Sequence, residues 1–119
     1  MRNISAEEAL NKLSKSKFRS RFHLKDKDKQ YVLEKGFDVI KNHTDDFINK
    51  RLAPSIILND GKQTPMKGHP TFIAQHATAC CCRGCLSKWY GIDNGRELTN
   101  DEKEFISNLI LTWIKKEVI

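Results

Sequence analysis

The residues with the most chemistry in this chain are crowded together. All four cysteines fall within six positions, at Cys80, Cys81, Cys82 and Cys85, and two of the four histidines lie just upstream, at His69 and His76. Cys82-x2-Cys85 is the separation at which two thiolates converge on one tetrahedral ion, and Gly84 between them permits a tight metal knuckle. His76 and Cys80 are four residues apart, so one helical face would carry both. Six donors thus compete for about four coordination positions. A disulfide framework spreads its cysteines to staple distant loops, which this cluster cannot do. Zinc is the metal the donor set implies. An iron–sulfur cluster needs four separated thiolates and is less favoured. Buried free thiols are the plain alternative, because unpaired cysteine is among the most buried residue types.

Other thiol chemistries fit less well. Cys82-Arg-Gly-Cys85 has redox spacing, but no βαβ pattern surrounds it. His76 with Cys80 or Cys81 would make a nucleophile–base pair, yet nothing marks an oxyanion hole. No acid occurs from 61 to 92. That leaves positive surroundings, which favour thiolates, and removes the carboxylate base of hydrolytic zinc sites. The His-x-Glu and His-Glu-x-x-His signatures are absent, so a structural metal is preferred to a hydrolytic one.

The 119-residue chain carries 21 Lys+Arg against 15 Asp+Glu, a formal charge of +6. The excess sits in two zones, residues 1–24 and the acid-free stretch 61–92. Clustered cations suggest an anionic partner, nucleic acid first, and Arg19, Arg21, Lys62, Lys67 and Arg83 are the expected contacts. The run Lys17-Phe-Arg-Ser-Arg-Phe22 interleaves cations with rings. Phe18 and Phe22, four apart, read more simply as core anchors of a helical turn. Asp60-Gly-Lys-Gln-Thr64 echoes a phosphate loop but lacks its spacing and reads as turn chemistry, although Lys62, Thr64 and Lys67 remain possible anion contacts. His23 and His43 read as isolated histidines, and Trp89 and Trp113 as core.

Helices must position these groups. Ser5-Ala-Glu-Glu8 is a capping box ahead of Ala9, Leu10 and Leu13. A helix from about Asp26 to Leu52 is expected on the stripe Leu33, Phe37, Ile40, Thr44 and Phe47. Gly36 weakens it, and Thr44 is a possible N-cap that would split it. From Ala53 to Pro70 the chain reads as a long loop, with Ile56-Ile-Leu58 as an apolar plug or short strand. Pro70 opens a short helix through Phe72, Ile73, His76 and Ala77. A second carries Cys85, Leu86 and Trp89 and ends at Gly91. Thr99-Asn-Asp-Glu102 caps an amphipathic helix with Phe105, Ile106, Leu109, Ile110, Trp113 and Ile114 on one face. The expected fold is therefore mainly α: one small helical domain over 1–119, with a long central loop and a Cys/His metal-site segment. No apolar run approaches the ~20 residues of a membrane span. The start of the chain lacks an apolar signal segment, so a cytoplasmic protein is expected.

Several of these segments carry a resemblance. Asn59-Asp-Gly-Lys-Gln-Thr-Pro-Met-Lys-Gly-His-Pro70, Ala74-Gln-His-Ala-Thr78 and Cys81-Cys-Arg-Gly-Cys-Leu86 resemble the bacterial domain-of-unknown-function 4186 family. Phe18-Arg-Ser-Arg-Phe-His23, Lys50-Arg-Leu-Ala-Pro54 and Gly95-Arg-Glu-Leu98 do so as well. The resemblance runs from about residue 8 to 116. It implies a small stand-alone protein of bacteria or their phages and brings no established activity. It also implies a Thr where this chain has Cys80, and a His where it has Tyr90, which makes both poor ligands. The expected metal set is then His69, His76, Cys81, Cys82 and Cys85. Three functions remain open: a zinc module that binds nucleic acid, an enzyme using the Cys/His cluster for metal or thiol chemistry, and a protein-interaction adaptor with a purely structural site.

Overall fold

Local signals place most helix ends. In the computed structural model, which describes residues 4–119, Ser5 accepts the Glu8 amide and starts α1 (Ala6–Ser14), which buries Ala9 and Leu13. A single 3-10 turn follows at Arg19–Arg21. Then come α2 (Asp26–Lys35), α3 (Phe37–Arg51), α4 (Pro70–Ala77), α5 (Arg83–Tyr90) and α6 (Asn100–Val118). Pro70 occupies the first turn of α4, and Gly91 closes α5 in the left-handed region. Among the described residues there is no strand, and no helix is long and apolar enough to cross a membrane.

The long helix expected from Asp26 to Leu52 is two helices. Gly36 adopts φ +88° and ψ 152°, a backbone region that side chains strongly disfavour, and the chain turns there. Its amide bonds Val32 and its carbonyl accepts the Ile40 amide, so it ends α2 and starts α3. The break also changes the phase of the stripe. Val32 enters the core, whereas Leu33 is 64% exposed. Thr44 does not cap a helix; it is buried in α3 and its hydroxyl meets that of Thr71 at 2.9 Å.

Helix α6 is the centre of the packing, with α1, α2, α3 and α4 against it. Its buried Ile106, Leu109, Ile110 and Ile114 meet Ile40, Ile48, Leu86 and Tyr90 in one core. Trp89 and Trp113 pack on its edge. Thr99 and Glu102 form a complete capping box, and Arg96 adds a two-point bond to the Glu102 carboxylate at 2.7 and 2.8 Å. That guanidinium holds the Glu102 carboxyl at about 2, below the ordinary 4.5. Its contribution is present above pH 4.5 and is lost as pH falls toward 2. Acid unfolding of Glu102→Gln, followed by circular dichroism, is expected to lose this part of the pH dependence.

The 52–69 segment contains no strand. Ile56 and Leu58 are 77% and 98% exposed, so they do not plug the core as expected. Polar bonds hold the loop instead. Ala53 accepts from the Leu98 amide, Asp60 accepts the amides of Arg83 and Gly84, and Thr64 donates to the Cys81 carbonyl. These bonds lay the loop across the cysteine segment. Phe18 also departs from its expected role: it is half exposed, with the Arg21 guanidinium 4.6 Å from its ring centre.

Candidate metal centre

Two helix ends shape the cysteine segment. Helix α4 stops with Ala79 in the left-handed region (φ 58°), and the Cys80 amide returns to the Gln75 carbonyl. This reversal is of the Schellman type, with alanine where glycine is usual. Three residues on, Cys82 is the N-cap of α5 and its sulfur accepts the Cys85 amide at 3.3 Å. Asp60 accepts the next two free amides, of Arg83 (2.8 Å) and Gly84 (3.1 Å). The result is a thiol at the start of a helix and another one turn later. Gly84 is not demanded by space: a Cβ there would stand 3.5 Å from the Asp60 carboxylate and 3.8 Å from the Cys82 sulfur, ordinary contact.

The sulfurs of Cys81, Cys82 and Cys85 all lie within 4.8 Å of one another. Cys81 and Cys85 are 3.7 Å apart. Above them is Arg19, which is 9% exposed. Its guanidinium donates to Cys85 at 3.1 Å, to Cys81 at 3.6 Å and to the His76 carbonyl at 2.8 Å. The Cys81 thiol is lowered to about 7, first by the hydrogen bond from Cys85 and then by Arg19. Cys85 is raised because it keeps the proton it gives to Cys81, and Cys82 is raised by burial. Without metal, the pair Cys81–Cys85 therefore gives up its first proton easily and shares the second, which is held tightly.

The fourth cysteine stands apart. Cys80 is fully buried, bonds the Thr78 carbonyl at 3.5 Å, and burial pushes its thiol up to about 12. The same carbonyl accepts the hydroxyl of buried Tyr90.

The two histidines expected as ligands make other bonds. His69 caps α4: its Nδ1 accepts the Thr71 amide at 3.0 Å, and its Nε2 lies 3.0 Å from His43 Nδ1. An Nδ1 that accepts has no proton, so neutral His69 donates from Nε2. Burial, and then His43, lower His69 to about 4, which keeps it neutral. His43 is thus not isolated. His76 Nε2 is within 3.2 Å of the Thr64 and Pro65 carbonyls, which can only accept, so the proton is on that nitrogen. The structure brings three of the five expected ligands together; neither histidine is in the converging group.

The five expected nucleic-acid contacts also divide. Arg21, Lys62 and Lys67 are exposed. Arg19 is held in the thiol site, and Arg83, 4% exposed, donates to the carbonyls of Leu52, Pro54 and Asp93. Burial removes both from the surface that charge counting gave them. The two groups missed in the sequence at the thiol site are Arg19 and Asp60. Asp60 carried one signal, its place one residue before the acid-free stretch.

The fold and site together define a small all-α protein with three converging thiols, crossed by a long loop. Residues 7–115 match the family described as Domain of unknown function (DUF4186), and the chain belongs to that family. No solved structure matches it.

Proposed function

We propose that the protein binds one zinc ion through Cys81, Cys82 and Cys85. The observation that carries this reading is the convergence of the three sulfurs. Zinc–sulfur bonds of ~2.3 Å put two sulfurs of a tetrahedral site ~3.8 Å apart, and Cys81 and Cys85 stand at 3.7 Å. Charge fits as well. Three thiolates and a divalent ion sum to minus one, which the buried Arg19 guanidinium balances. Thiolates of an iron–sulfur cluster bind separate irons and need wider spacing. Free thiols also suit the reducing cytoplasm.

Three protein ligands leave the fourth tetrahedral position open, as in catalytic zinc sites, so the preference for a structural metal rests on the want of a base. A hydrolytic centre needs a free base, and both Asp60 oxygens are occupied by the Arg83 and Gly84 amides and by Gln63. Metal binding ties the turn that follows α4 to the first turn of α5, and its free energy adds to folding. Cys81→Ser, Cys82→Ser and Cys85→Ser are each expected to lose zinc, measured by elemental analysis, while Cys80→Ser keeps it. With zinc a thousandfold above its dissociation constant, the ion contributes about 4 kcal/mol. The three variants should then melt about 15 °C lower. Zinc retained in all three would end this reading.

A second reading, nucleic-acid binding, is favoured by Arg21 and Lys67, both exposed on one cleft. Lys62 is a third exposed cation. Affinity for a single-stranded oligonucleotide should fall steeply with salt, and no affinity at low salt would end it.

A further inference from the structure

A cleft of about 730 Å³ opens between the 3-10 turn, the start of α2 and the loop before α4. We propose that it holds one phosphate-bearing nucleotide unit, either free or within a single strand. This rests on the nucleic-acid reading, narrows it from a surface to a pocket, and is independent of the thiol site.

Charge is the first argument. Arg21, Lys25, Lys27 and Lys67 line the cleft, with Asp28 the one acid in its lining. None of the four cations forms an ion pair among the described residues. Elsewhere among the described residues Lys41, Lys50, Arg96 and Lys116 are paired while Lys12, Lys62 and Lys88 are not, so what sets these four apart is that they surround one concavity. Unpaired cations around a concavity focus positive potential there and draw in an anion of more than one charge.

The rings are the second argument. Phe22 and Tyr31 also line the cleft. Phe22 is stacked on His76 (5.7 Å between centres) and Tyr31 stands edge-on to His69 (5.5 Å), so the α4 histidines hold both rings in place. His69 is neutral and both its nitrogens are bonded, so it fixes the wall without adding charge. Fixed rings beside cations suit a base and its phosphates, and every base has a face to stack. The volume falls within the range of small-molecule pockets, roughly 300–1,000 Å³.

Calorimetry at low ionic strength on the full chain tests this, with ADP, UDP, inorganic pyrophosphate and a short oligothymidylate as probes. ADP and UDP are expected to bind within about threefold of each other, and pyrophosphate about tenfold more weakly. Arg21→Ala and Lys67→Ala, both at exposed positions, should each weaken ADP about tenfold. Lys50→Ala, outside the cleft and paired with Asp46 on α3, should leave ADP binding unchanged, and circular dichroism should show all three variants folded. The oligothymidylate should compete with ADP. No ADP binding, binding indifferent to both cleft variants, or pyrophosphate binding as tightly as ADP would each overturn the proposal. Oligothymidylate that binds without displacing ADP would also overturn the pocket while leaving the broader nucleic-acid reading intact.

Discussion

Arg83→Met is expected to destabilise the protein by about 1–3 kcal/mol, the cost of leaving buried acceptors without their donor. Among the described residues, the Arg83 guanidinium is the one side chain that donates to the carbonyls of Leu52 and Pro54 at the start of the long loop, and to that of Asp93 beyond α5. Methionine fills similar space but donates nothing, so these carbonyls, the Leu52 one buried and the other two partly so, would lose their partner. Domains of this kind are stable by about 5–15 kcal/mol in total. Urea unfolding should therefore show a lower midpoint, with unchanged slope if the denatured state is unaffected. Lys62→Met, on the exposed loop, should stay within about 0.5 kcal/mol of the parent chain. Equal effects at the two positions would mean that Arg83 is no more structural than a surface cation.

Arg19→Met should act on the thiol site. Arg19 bonds two of the three sulfurs and ties the 3-10 turn to the end of α4. Partners of this kind, outside the ligand set, are worth about 10–100-fold in metal affinity, and that loss is expected for zinc. In the metal-free chain, the Cys81 thiol should move up, though not to its ordinary 9.0, because the Cys85 hydrogen bond remains. The sign follows from linkage: a thiol depressed to about 7 in the folded state contributes stability above 9 and loses it as pH falls through 7. Metal-free parent protein should thus gain stability between pH 7 and 9, and Arg19→Met should gain less. The pH profile of thiol alkylation checks the same shift. Unchanged zinc affinity and an unchanged profile would remove Arg19 from the site.

These two arginines also show where sequence reading stopped. Both sit in stretches of excess positive charge, and counting charges put them on the surface. Their partners are 57–66 residues away for Arg19 and up to 31 away for Arg83, distances at which no local pattern distinguishes a buried cation from a solvated one. Gly36 is a milder case. A glycine in a helical stripe is tolerable on propensity alone, and only the fold decides that it turns the chain at φ +88°. By contrast, Ser5, Pro70, Gly91 and the Thr99–Glu102 box act within one helical turn, and they stand at the ends predicted from sequence. The cysteine cluster was legible for the same reason: the three sulfurs that converge are all within five residues. The histidines lie further back along the chain, and the bonds they make with His43, Thr64 and Pro65 depend on tertiary placement.

The most direct test of the metal site is the zinc content of the parent protein, purified under reducing conditions without chelator, followed by melting before and after chelation. The expected result is one zinc per chain, a fall in melting temperature of about 15 °C when zinc is removed, and recovery when it is restored. Protein that is isolated without metal, takes up none when zinc is supplied, and melts at the same temperature with or without chelator would contradict the three-thiolate site.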